Sequence, residues 1–206
     1  MTQAPRVLSI NGSYRDDGIT DQAIEAAAHA LRESGAEVET INLRDYPIEF
    51  CLNCRVCCQQ PGEAPGHCVH NDGMHDLVAK IERADAYIIA APTNFSSVTA
   101  IFKRFMERLT VYAYWPWGAA GPKYRKAKLP TKKAILISSC AAPGLMGRLL
   151  YQTQKQLKMT AKIIGARPVG TLFTGLIAGE PEAALPDRMR RRALALANKL
   201  AAATNL

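Results

Sequence analysis

The run Ala86-Tyr87-Ile88-Ile89-Ala90-Ala91 puts apolar side chains on both sides of an extended backbone and is closed by Pro92, which has no N–H for a further ladder bond. A strand that is apolar on both faces has to be covered on both, so it belongs inside a parallel sheet between two layers of helices. The rest of the chain supplies those layers. Residues 6–11 form a first strand rich in branched side chains, and Ala23, Ile24, Ala27 and Leu31 recur at helical spacing over 20–34, ahead of Gly35. Val38 and Ile41 mark a second strand at 37–42, closed by Asp45-Tyr46-Pro47. Asn71 and Asp72 are candidate caps for a helix reaching about residue 84, with Met74, Leu77, Val78 and Ile81 inward.

Beyond Pro92, residues 93–97 read as a polar loop, and Phe102, Phe105, Met106 and Leu109 mark the inner face of a helix. Residues 133–139 form a fourth strand, Leu145, Leu149, Thr153 and Leu157 a fourth helix, and 166–173 a fifth strand. Leu185, Met189, Ala193, Leu196 and Leu200 line the last helix, with Arg188 and Arg190, Arg191 and Arg192 outward. Strand and helix thus alternate five times, which calls for right-handed crossovers and helices on both faces of the sheet. No linker divides the 206 residues, so a single domain, 1–206, is expected.

In open sheets of this kind ligands bind beyond the carboxyl ends of the strands. Three loops meet there: 11–20, 92–97 and 139–144. The first, Asn11-Gly12-Ser13-Tyr14-Arg15-Asp16-Asp17-Gly18-Ile19-Thr20, runs from a strand into a helix N-terminus, where unpaired N–H groups and the helix dipole favour a phosphate. Ser13 and Thr20 add hydroxyls, Arg15 a charged fork, and Gly12 and Gly18 allow close approach or positive φ. The alternative is an ordinary turn in which Ser13 and Thr20 cap the helix. Neither a Walker-type nor a Gly-x-Gly-x-x-Gly loop is present; the pattern is Gly-Ser-x-Arg-x-x-Gly-x-Thr.

That pattern resembles the first loop of the flavodoxin-like NADPH-dependent FMN reductases and iron–sulfur flavoproteins. The resemblance implies a three-layer α/β/α fold with a five-stranded parallel sheet in the order 2-1-3-4-5, and FMN held by its phosphate at Ser13, Arg15, Gly18, Ile19 and Thr20. Ala91-Pro92-Thr93-Asn94-Phe95-Ser96-Ser97-Val98-Thr99-Ala100, with Phe102-Lys103 and Glu107-Arg108, is similar to the same branch's second loop, with Asn94 where tyrosine is usual. By resemblance Pro92, Thr93, Asn94, Phe95 and Ser96 run along the isoalloxazine, and Cys140, Ala141, Ala142 and Gly144 supply a wall of small residues. Read without the family, Phe95 is core, Asn94 a helix cap and Cys140 a small buried residue.

Four of the six cysteines lie within eight residues, Cys51, Cys54, Cys57 and Cys58, with Cys68 following. Clustered thiols in a reducing compartment favour metal or redox chemistry over disulfides. Cys51-x-x-Cys54-x-x-Cys57, then Cys68, resembles the cysteine motif of the iron–sulfur flavoproteins and implies a [4Fe-4S] centre on Cys51, Cys54, Cys57 and Cys68. The Cys57-to-Cys68 gap is longer than usual there, and Cys58 is an extra thiol. Zinc on the same thiols, with His67 or His70 substituting, and no metal at all are the alternatives.

The formal charge of +8 concentrates at 123–133 and 188–192, without the aromatic interleaving of a nucleic-acid surface. Solvated helix faces and small anions account for it, and no apolar run reaches membrane-spanning length. A soluble cytoplasmic protein is expected, with neither nucleic acid nor membrane as partner. The connection 112–128 holds both tryptophans and is expected to cover the flavin or join a second subunit in a homodimer or homotetramer.

The expected function is electron transfer from NAD(P)H through FMN to a small acceptor such as a flavin, quinone, nitro or azo compound, with no side chain assigned as acid or base. One alternative is an iron–sulfur electron carrier serving a ferredoxin-like protein. Another is a non-catalytic module binding a phosphate ligand or partner.

Overall fold

The computed structural model describes residues 4–126, 131–143, 150–176 and 183–204. Five strands, β1 (Arg6–Asn11), β2 (Glu37–Asn42), β3 (Ala86–Ala90), β4 (Lys132–Ser139) and β5 (Ala166–Thr174), pair in parallel in the order β2-β1-β3-β4-β5. This is the flavodoxin-like order. β1 and β3 are central and fully paired, with Ile10 opposite both Ile41 and Ile89. At the β5 edge the pairing with β4 slips beside Pro168, which lacks the donor the ladder would need.

Helices α1 (Ile19–Glu33) and α5 (Asp187–Thr204) cover one face of the sheet, and α2 (Met74–Arg83), α3 (Ala100–Arg108) and α4 (Thr153–Ile163) the other. The two-residue alternation of the strands decides which layer each side chain enters. Val7, Ile88, Ile135 and Leu172 pack under α1 and α5, where alanines such as Ala23, Ala27, Ala193 and Ala197 let the two helices lie close. Leu8, Tyr87, Ile89 and Leu136 enter the opposite core with Phe102, Phe105, Leu77 and Leu157.

Two details differ from the sequence expectation. Residues 93–97 are not a simple loop: Thr93–Asn94 pairs antiparallel with Ser97–Val98 in a small hairpin. Helix α5 begins after Leu185, which is nonetheless buried against its layer. The fourth helix is described from Thr153, while Leu145 and Leu149 lie outside the described residues.

Candidate functional site

Loops from three strands meet at the carboxyl edge of the sheet and enclose a cleft of about 290 Å³. Ser13, Arg15, Gly18, Ile19, Thr20, Pro92, Thr93, Asn94, Cys140 and Ala141 all line it. Tyr14, Asp17, Ser139 and Ala183 line it as well, although the sequence did not single them out. Phe95, Ser96 and Ala142 are not among the lining residues, and Gly144 lies outside the described residues. A larger groove of about 910 Å³ runs beside α1 and α5, lined by Gln22, Glu25, His29 and Arg190, and shares Arg15 and Asp17 of the first loop with the cleft.

The first loop is shaped from below by two residues. Asn11, almost fully buried, donates to Asp21 (2.8 Å) and Asn42 (3.0 Å) and accepts from the Ser13 N–H (2.9 Å). Arg44 donates to the carbonyls of Ser13 (3.2 Å) and Arg15 (3.4 Å) and pairs with Asp16 and Asp21. The loop's carbonyls are thereby occupied on the Arg44 side. The first N–H groups of α1 have no intrahelical acceptors, so the cleft meets the positive end of a helix.

The helix-capping reading fails at both hydroxyls. Gly18 stands at the N-cap with no side-chain bond; Ser13 Oγ instead accepts from the Arg15 N–H (3.2 Å), and Thr20 Oγ1 pairs with Ser139 Oγ (2.9 Å). Gly18 has φ −69°, so positive φ is not its role. Gly12 is required by close approach: a Cβ there would stand 2.7 Å from Phe102 Cδ2.

The second loop is held against α4 by side-chain bonds. Thr93 Oγ1 pairs with Thr153 Oγ1 (2.9 Å), Gln156 Oε1 accepts from Ser97 Oγ (2.9 Å) and the Val98 N–H (3.0 Å), and Gln152 N–H donates to the Ser96 carbonyl (2.8 Å). At its tip Phe95 and Ser96 have φ of +46° and +64°, a left-handed pair that turns the phenyl ring wholly into solvent. Phe95 is therefore not core, and Thr99 rather than Asn94 caps α3, accepting from the Phe102 N–H (3.3 Å). In the third loop burial pushes the Cys140 thiol up, a backbone hydrogen bond at Ala142 opposes that rise, and the thiol donates to the Ala142 carbonyl (3.2 Å).

The cysteine segment forms a second centre between β2 and α2. Cys57 and Cys58 sit buried on a single 3-10 turn (Val56–Cys58), their sulfurs 3.9 Å apart. The Cys57 thiol is pushed up to about 12, first by burial and then by the sulfurs of Cys58, Cys68 and Cys51, so these thiols share one environment. Cys58 Sγ contacts the Thr110 carbonyl at 3.5 Å, and Cys54 is exposed on a turn between Asn53 and Arg55, both with left-handed φ.

The long gap from Cys57 to Cys68 is closed by Arg125, which donates to the carbonyls of Cys57 (3.3 Å), Gln60 (2.8 Å), Gly62 (2.8 Å) and Val111 (3.1 Å). Gly66 packs so closely on the returning chain that a Cβ would come within 1.8 Å of the Cys57 carbonyl oxygen. The basic 123–133 stretch therefore includes internal struts, Arg125 and Lys132, besides solvated charge.

Tyr112 and the ribbon Ala113–Tyr114 with Lys123–Tyr124 pack on this centre rather than over the cleft. Arg55 lies 3.7 Å from the Trp115 ring and 4.4 Å from that of Trp117, and Trp115 N–H donates to the Cys58 carbonyl (2.9 Å). His70 faces the Phe50 carbonyl (3.0 Å) and His67 stacks near His75 (5.0 Å). Among the described residues no three Cys, His, Asp or Glu side chains stand at coordinating distance. Several thiols in one segment are the donor chemistry that a thiolate-bound metal requires, and Cys54, exposed on its turn, stands apart from the buried pair Cys57 and Cys58.

No described helix is long and apolar enough to cross a membrane. The sequence profile of the NADPH-dependent FMN reductases matches residues 5–174. An iron–sulfur flavoprotein of Archaeoglobus fulgidus is 30% identical over 204 residues, covering 96% of this chain and 80% of its own. A second from the same organism is 34% identical over 178 residues, covering 85% and 82%. Among solved structures, RosB with bound 8-demethyl-8-formylriboflavin-5'-phosphate superposes with a TM-score of 0.69 over 98% of this chain and 79% of its own, at 16% identity. Fold, profile and relatives agree, and the chain belongs to the NADPH-dependent FMN reductase family of flavodoxin-like, FMN-dependent oxidoreductases.

Proposed function

We propose that the chain passes electrons from NAD(P)H through FMN in the strand-end cleft to a small acceptor such as a flavin, quinone, nitro or azo compound. The observation that carries this reading is the convergence of the 11–20, 92–94 and 139–141 loops on one cleft at the N-terminus of α1. FMN, when bound, accepts a hydride equivalent from a reduced nicotinamide and gives up electrons to a second acceptor. Ser13, Arg15, Thr20 and the α1 amides hold its phosphate. Backbone groups of Thr93 and Asn94, on a hairpin tied to α4, would favour negative charge on the ring when it is bound. Cys140 and Ala141 give a flat wall.

A second reading, an electron carrier, is favoured by the cysteine segment and by the names of the two Archaeoglobus relatives. In it Cys51, Cys54, Cys57 and Cys68 hold a [4Fe-4S] centre that exchanges electrons with the flavin and a ferredoxin-like protein. Anaerobic addition of NADH or NADPH to FMN-loaded protein separates the two. Bleaching of the flavin absorbance supports the reductase. A flavin that only a reduced ferredoxin-like protein bleaches supports the carrier, and a chain that takes up no flavin contradicts both.

A further inference from the structure

Arg108, at the last turn of α3, carries a full charge into the core with its side chain only 1% exposed. Three kinds of partner surround it. Nη1 and Nη2 hold the Asp72 carboxylate in a fork (2.6 and 3.0 Å), Nη1 also donates to the Glu49 carbonyl (2.8 Å), and Nη2 reaches Cys68 Sγ at 3.5 Å. Asp72 is itself tied down by the N–H groups of Glu49 (2.7 Å) and Met74 (3.1 Å). The carboxylate and the carbonyl fix the guanidinium, and a desolvated donor so fixed keeps one direction. Of its other N–H groups, one on Nη2 points to the sulfur of Cys68, and the buried Nε–H has no hydrogen-bond partner among the described residues.

The other end of α3 belongs to the flavin cleft. Thr99 Oγ1, at the N-cap, donates to the Gly12 carbonyl (2.7 Å), and Tyr14 Oη accepts from the Ile101 N–H (3.2 Å). One short helix thus braces the first flavin loop at its start and a cysteine of the second centre at its end. Buried ion pairs are weak stabilisers compared with apolar packing, so an ion pair that spends its spare donor on a thiol has a use beyond stability.

We propose that Arg108 is the positioning residue of the cysteine centre: its Asp72-locked guanidinium orients Cys68 Sγ and donates to it, fixing this thiolate as a metal ligand and drawing electron density from it. The inference rests on the reading that the segment binds a thiolate-ligated metal or cluster. Outer hydrogen bonds of this kind change metal affinity by about 10–100-fold, and donors to ligand sulfurs raise a cluster's reduction potential.

The test compares wild type, Arg108→Met with Asp72→Asn, Arg108→Met alone, and Arg108→Lys. The double variant removes the pair together and avoids leaving an uncompensated buried carboxylate. Cobalt(II) affinity of the metal-free chains is read from thiolate-to-cobalt absorption. Potentials are measured after anaerobic reconstitution with iron and sulfide. The expected result is about tenfold or weaker cobalt binding in the double variant. Potentials are expected to fall from wild type to the double variant and further in Arg108→Met alone, where the Asp72 charge stays. Arg108→Lys falls between wild type and the double variant, because one ammonium cannot hold the fork and reach Cys68 together.

A double variant that matches wild type in affinity and potential overturns the role of Arg108 while leaving the cluster reading intact. If the double variant does not fold, a wild-type-like Arg108→Lys overturns it equally. A wild type that takes cobalt in an Arg108-dependent way but no iron–sulfide cluster upholds Arg108 and removes the cluster. A wild type that takes neither overturns both.

Discussion

The hydroxyl oxygens of Thr20 and Ser139 stand 2.9 Å apart, both buried, and join the first turn of α1 to the end of β4. In such a pair one O–H donates to the other oxygen, and the second keeps a proton to give. At the edge of the cleft that proton is placed for an anion. Thr20→Val is expected to weaken FMN binding about tenfold, near 1.4 kcal/mol, and to cost about 1 kcal/mol of stability. Flavin fluorescence titration and urea unfolding measure the two; unchanged affinity in a folded variant contradicts the placement.

Gly12 is pressed against Phe102, whose Cβ and Cδ2 would lie 2.8 and 2.7 Å from an added methyl. Gly12→Ala is expected to lose about 1–3 kcal/mol through overpacking, since the β1 exit and α3 have to separate. A urea midpoint equal to that of wild type counts against this packing.

Burial alone would raise the Asp72 carboxyl, but the Arg108 fork and the N–H groups of Glu49 and Met74 bring it from 3.8 down to about 2. The folded value lies below the unfolded one, so the stabilisation is complete above about pH 4 and is lost as pH falls through about 2. Its size is on the order of 2 kcal/mol. Asp72→Asn is expected to lower stability at neutral pH and to flatten its decline across that acid window. Denaturant unfolding at a series of pH values gives both slopes, and equal slopes contradict the account.

Arg55 clamps Trp115 and Trp117 and donates to the carbonyls of Trp115 (2.8 Å) and Pro116 (3.3 Å). Arg55→Ala is expected to cost about 1–3 kcal/mol and to release the half-buried Trp115 indole to water, Trp117 being exposed already. A red shift of tryptophan emission, with bound FMN unaffected, is the expected signature. An unshifted spectrum places the clamp elsewhere.

The strands and helices were legible because each is decided by local pattern: the branched apolar side chains of β1, the unbroken apolar run of β3, the Ala23–Leu31 stripe of α1. The cleft followed from the alternation of strand and helix, since strand ends gather loops wherever the sheet is parallel. What the sequence hid are side chains whose partners are backbone atoms far along the chain. Arg44 meets the Ser13 carbonyl across about thirty residues, Arg125 that of Cys57 across 68, and Arg108 that of Glu49 across 59. No periodicity marks such contacts, and a run of basic residues reads as solvated charge until the carbonyls it serves are in place. Asn11 alone carried a local hint, an Asx residue at a strand end ahead of Gly-Ser.

The most direct test of the central claim is a titration of flavin-free protein with FMN, for wild type and for Ser13→Ala with Arg15→Ala. The account predicts one FMN per chain in wild type and at least about tenfold weaker binding in the variant, as lost charge-assisted and hydroxyl bonds to phosphate require. No FMN uptake by wild type, or equal affinity in both, contradicts it.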